Sequence, residues 1–208
     1  MQPRNPYEPP RAALGEGESN PVTGRTHEAL HYAGFWRRFC AYWIDATVLL
    51  PITGIAYLFG EKSRLFYLYW FIPGLLLGLF FHVYLVRRYG GTPGKLALKT
   101  RIALLDGSPV TTKAATLRYA VLFVLHALSS VGLLMSTLAM TDELYFSLGY
   151  IARLQKMVEL APRWYFTVSV LAQVWVWGEF VTMLFNKRRR SVHDYMAGTV
   201  VVRSAPSV

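Results

Sequence analysis

The sequence predicts an all-α membrane protein: a four-transmembrane-helix bundle with a small cytoplasmic β-hairpin and an outside amphipathic helix. Three observations carry that prediction. Four apolar runs are each about 20 residues long, the length a helix needs to cross the hydrocarbon layer. Lysine and arginine gather on alternate sides of those runs. One polar stretch between the second and third runs alternates apolar and polar residues, a period that suits strands.

Residues 1–31 are polar, rich in Pro, Gly and Glu, and without periodicity, so they read as a disordered cytoplasmic tail. No apolar core lies near the start, so no signal peptide is expected. A membrane domain over 32–203 follows, and 204–208 form a second tail. The spans lie at about 39–59, 66–86, 119–140 and 164–185. Pro51 and Pro73 are expected to kink the first two. Gly74 and Gly78 have the small-xxx-small spacing of close helix contact, within one bundle rather than between copies.

The loop after the second span, LALKTRIALLDGSPV, alternates up to an Asp106-Gly107 turn signal and reads as a hairpin. Pro109 confines its second arm to an edge, and Gly198–Arg203 offers a third strand. In the segment after the third span, Thr141 is an expected N-cap. There Leu144, Leu148, Ile151, Leu154 and Val158 recur at helical spacing, which predicts one amphipathic helix. Lys and Arg divide 17 against 5 between the two sets of connections, so both termini are expected in the cytoplasm.

That partition also accounts for the net charge of +10 without a nucleic-acid partner. The expected partners are the lipid bilayer, anionic lipid near Lys187, Arg188, Arg189 and Arg190, and a second copy or another membrane protein. The single cysteine, Cys40, excludes an internal disulfide and reads as a small core residue.

Ionisable residues inside the runs are the candidates for function. Asp45 lies seven residues past Arg38, His126 eight past Arg118, Glu179 eight before Lys187, and His82 five before Arg87. At 1.5 Å per residue these sit roughly 8–12 Å from the cytoplasmic ends, in one shallow layer. A charge at that depth needs a partner or a task. One reading makes Asp45, His126 and Glu179 a proton or cation site. The other makes the layer a structural polar cluster, with Asp45 paired to an arginine such as Arg38 or Arg118. His82 is expected to reach the headgroups. Gly90–Lys95 fails as a phosphate loop, because Tyr89 stands where the first glycine belongs and Leu96 where Ser or Thr belongs. No nucleophile arrangement, cofactor motif or metal-ligand spacing stands out, so neither an enzyme nor a cofactor is expected.

Three stretches together resemble the RDD family of bacterial membrane proteins. GFWRRFCAYWID supplies Arg38 and Asp45 as the family's arginine and first aspartate. YGGTPGKLALKTRI is similar to its glycine-threonine-x-glycine-lysine stretch, with Gly94 and Lys95. SVHDYMAGTVVV carries His193, and Asp194 matches the second aspartate. The resemblance implies a small bundle of three or four spans in the bacterial inner membrane, termini inside. Some members are linked to sodium/proton exchange. The expected function is a non-catalytic membrane scaffold or transport-accessory protein; the alternative is a proton- or sodium-coupled transporter using Asp45, Glu179 and His126.

Overall fold

The computed structural model describes residues 31–186 and 188–204. The tail expected over 1–31 therefore lies outside the described residues up to position 30, as do Lys187 and 205–208. Helix α1 (Phe35–Lys62) is followed by α2 (Phe66–Leu79), a π-helical turn (Phe80–Tyr84) and α3 (Leu85–Tyr89). Short α4 (Pro93–Ala97) leads into β1 (Thr100–Leu104). Then come α5 (Thr112–Ala139), α6 (Asp142–Ser147), α7 (Tyr150–Glu159), α8 (Arg163–Leu184), α9 (Val192–Ala197) and β2 (Thr199–Arg203).

Four helical segments are long and apolar enough to cross a membrane: Phe35–Lys62, Phe66–Ala97, Thr112–Ala139 and Arg163–Leu184. Their outer faces expose large apolar side chains such as Trp36, Ile72, Val174 and Phe166, as a lipid-facing surface requires. Cys40 joins that exposed face, contrary to the core reading. It sits off the buried stripe of α1, which is Arg38, Ala41 and Asp45. Pro51 and Pro73 both lie inside unbroken helices. The interruption in the second span comes later, at the π-turn that carries His82. Gly78 packs on α5 within the same chain: a Cβ there would run into the Tyr119 hydroxyl.

Helix α5 begins seven residues before its apolar run, with Thr111 Oγ1 accepting from Ala114 N at 3.2 Å. One face of that first stretch is buried against protein: Ala114 and Ala115 pack with Val86, Ile102, Val110 and Val201. Beneath this layer lies the sheet. β1 and β2 are antiparallel, registered from Thr100 opposite Arg203 to Leu104 opposite Thr199. Residues 31–33 line the other side of β2, with Ala33 N donating to Val201 O and Arg203 N to His31 O. β2 is thus central, which is why Thr199 to Val202 are all buried. The Asp106-Gly107 turn forms, with Gly107 at φ +82°. Its second arm shrinks to one bridge between Ala103 and Pro109, because proline has no N–H to extend the ladder. The C-terminal strand pairs along the opposite edge of β1, so Ala103 faces Pro109 on one side and Val200 on the other.

At the other end of the bundle the single predicted helix is two, α6 and α7, broken at Leu148 and Gly149. Thr141 caps α6 as expected, accepting from Leu144 N at 3.2 Å. The break rotates the stripe: Leu144 and Leu148 pack on Met140, Tyr145 and Met157, while Ile151 and Val158 are exposed. Arg153 closes the join. It donates to the carbonyls of Tyr145 and Leu148 and pairs with Glu61 at 2.7 Å. Burial opposes its charge, but the Glu61 and Tyr145 hydrogen bonds outweigh that and raise its pKa.

Candidate functional site

Helix α1 turns Arg38 and Asp45 to the same buried side, two turns apart, yet they do not pair. Among the described residues Asp45 pairs with no arginine, neither Arg38 nor Arg118. Its Oδ2 accepts from Thr92 Oγ1 at 2.5 Å and its Oδ1 from Gly94 N at 2.6 Å. The Gly90–Lys95 stretch is therefore a receptor for the chain's own carboxylate. Gly94 is needed for close approach: a Cβ there would strike the Ala41 carbonyl and come within 2.9 Å of the Asp45 carboxyl. Lys95 follows, its Nζ donating to Thr92 Oγ1 at 3.3 Å.

The arginines pair with Asp194 instead. Arg38 Nη1 donates to its Oδ2 at 2.8 Å, and Arg118 Nη1 to its Oδ1. Ser191 N and Oγ add bonds of 3.0 and 2.9 Å to Oδ2, and Thr199 Oγ1 one of 3.1 Å to Oδ1. Asp194 is fully buried with five donors around it. Burial alone would raise its pKa; Arg118 first, with Arg38 and the Ser191 N–H, outweighs burial and holds it well below the usual carboxylate range. One carboxylate thus clasps α1, α5, α9 and β2.

A second pair flanks the clasp. His193 Nδ1 meets Glu179 Oε1, while Arg118 Nη2 approaches His193 Nε2 at 2.6 Å. Arginine has only donors, so Nε2 accepts and the proton of the neutral ring sits on Nδ1, bonded to Glu179. Burial first, then the Arg118 cation, pushes the His193 pKa down. Arg190 turns inward, donating to the Thr199 and Asp194 carbonyls and lying 4.0 Å from the Tyr195 ring. It is thus partly spoken for, while Arg188 and Arg189 are exposed.

Asp45, His126 and Glu179 are not brought together. Among the described residues no hydrogen bond or ion pair joins any two of them. His126 is exposed, at the edge of an apolar recess of about 360 Å³ between α1, α2 and α5. His82 does not reach out to headgroups; it stacks on Tyr119 with ring centroids 4.6 Å apart. Beside the clasp lies a chamber of about 150 Å³ whose walls include Thr92, Lys95, Arg118, Glu179 and His193. Chamber and recess share His82, Tyr119 and Leu122 as a common wall.

Sequence reasoning missed the roles of Thr92, Ser191 and Thr199. One signal was available: Ser191-x-x-Asp194 has capping-box spacing, and the box forms. No match was found among curated proteins or among solved structures. The RDD family model matches residues 32–198, which takes in Arg38, Arg118 and Asp194 of the clasp, the Asp45 receptor and the Glu179–His193 pair. With most of its length matched, and with Arg38, Asp45, Arg118, Glu179, His193 and Asp194 all inside that match, the chain belongs to the RDD family of membrane proteins.

Proposed function

We propose that this integral membrane protein is a non-catalytic scaffold or transport-accessory protein of the bacterial inner membrane, with both termini in the cytoplasm. The observation that carries the reading is the saturation of Asp194. Its carboxylate spends both oxygens on the two buried arginines and on α9 and β2, so it has no capacity left for a travelling ion. Asp45 is likewise committed to Thr92 and Gly94. Such a clasp fixes the three-segment sheet rigidly against the spans, a platform on which a partner can dock. The exposed Arg188 and Arg189 beside it suit anionic lipid.

One observation favours transport as a second reading: Glu179 and His193 face the chamber and are each about one-fifth exposed. A proton or cation site would then centre on that pair and not on Asp45 or His126. Reconstitution separates the two. Vesicles containing the purified protein should pass protons and sodium no faster than protein-free vesicles. Flux that disappears in a well-folded Glu179→Gln variant would establish the second reading in place of the first.

A further inference from the structure

The chamber has unused hydrogen-bonding capacity on two opposite charges. Lys95 carries three N–H protons, and its ammonium has one acceptor among the described residues, Thr92 Oγ1 at 3.3 Å. Asp45 makes no ion pair with it, having turned its oxygens to Thr92 and Gly94. Glu179 spends Oε1 on His193 Nδ1, and among the described residues its Oε2 has no hydrogen bond. Both groups line the chamber and are only partly buried, so a bound molecule can reach them. A simple anion would meet Glu179, and a simple cation would meet Lys95 and Arg118. A zwitterion satisfies both.

The chamber also adjoins an apolar space. Past His82, Tyr119 and Leu122 lies the recess of about 360 Å³, lined by Leu49, Ile52, Leu77 and Phe81. We propose that chamber and recess together bind a zwitterionic phospholipid of the ethanolamine type. Its phosphate accepts from Lys95 Nζ, its primary ammonium donates to Glu179 Oε2, and an acyl chain fills the recess. A choline headgroup has no N–H to give Glu179, and a glycerol headgroup has no positive charge, so both bind more weakly. This goes beyond the scaffold reading and does not depend on whether the protein moves ions.

The test uses the purified full-length protein, stripped of lipid in detergent. It is offered an equimolar mixture of phosphatidylethanolamine, phosphatidylcholine and phosphatidylglycerol, and retained lipid is read by native mass spectrometry. The expected result is about tenfold preferential retention of phosphatidylethanolamine, the size of one charge-assisted hydrogen bond. Glu179→Gln should erase most of that preference, and Lys95→Gln should lower retention of all three lipids. Glycerophosphoethanolamine, which has the head without the chains, should fail to displace the bound lipid. Equal retention of the three lipids by the wild-type protein overturns the proposal even if neither variant folds. So does an unchanged preference in folded Glu179→Gln. Displacement by inorganic phosphate alone would replace the lipid by a free anion.

Discussion

At Asp194 and Asp45 the same residue type does different work, and substitution should separate them. Asp194→Asn leaves two buried guanidiniums facing an amide, and breaking a buried pair costs roughly 3–5 kcal/mol. The variant should fall sharply in membrane abundance, and adding Arg118→Gln should restore part of it. Asp45→Asn is milder: its amide oxygen can accept from Gly94 N while its NH2 donates to the Thr92 hydroxyl, so about 1 kcal/mol is at stake. Thermal unfolding in detergent should rank the two in that order; equal losses would contradict these pairings. His193 predicts a pH effect. Its folded pKa lies below the unfolded value of about 6.5, so the folded state takes up its proton less readily. Its contribution is complete above pH about 6.5 and declines on acidification toward the folded pKa. His193→Gln should flatten part of the fall in melting temperature below pH 6.5. Asp194 behaves alike at lower pH: its stabilisation is complete above about 3.9 and is lost as pH falls through the depressed folded value. The residues of this site were legible one by one: Arg38, Asp45, Gly94, Lys95, His193 and Asp194 all stand in or beside it. Their pairing was not. Arg38 and Asp194 are 156 positions apart, and only the folded packing brings them into contact.

Among the elements, the four spans were readable because a run of about 20 apolar residues has few other uses. Their ends were not. Residues 112–118 look polar enough for a loop, yet the sheet gives their alanines a surface to bury on. The turn and the further strand were readable from alternation and turn chemistry, but the shortness of the hairpin's second arm was not. Pro109 limits that arm to a single bridge on one edge of β1, while Thr199–Arg203 pairs along the other edge as the expected further strand. Helix α4 exists to present Thr92 and Gly94 to α1, and Gly94→Ala should show it. The added methyl would meet the Ala41 carbonyl, which is backbone and cannot swing away. A loss of about 1–3 kcal/mol is expected. Gly54→Ala, in the same first span with nothing within 4 Å, should be neutral or gain up to about 1 kcal/mol. Melting temperatures of the two variants make the comparison.

On the scale of the whole molecule, the 17 to 5 division of basic residues predicts an orientation with both termini in the cytoplasm. With Cys40 replaced by serine, a cysteine at Glu143 should react with an impermeant maleimide on intact cells. One at Arg188 should react only after permeabilisation; the opposite pattern would invert the topology. The two ends of the bundle are also built differently. One is tied by buried Arg153 to Glu61, whose carboxylate is partly open to solvent, and the other by Asp194, which is sealed. That sealed carboxylate lies 156 positions after Arg38 and 76 after Arg118. A ribosome therefore delivers Arg38 and Arg118 to the membrane well before their counter-ion has been made. Until position 194 emerges, the spans stand together with two cations unmatched, and until position 203 the sheet lacks its central strand. What is synthesised later is thereby written into the stability of what comes earlier. A chain cut short before Asp194 would keep all four spans and still carry, in two orphaned arginines, the mark by which a cell's quality control could tell it from a finished one.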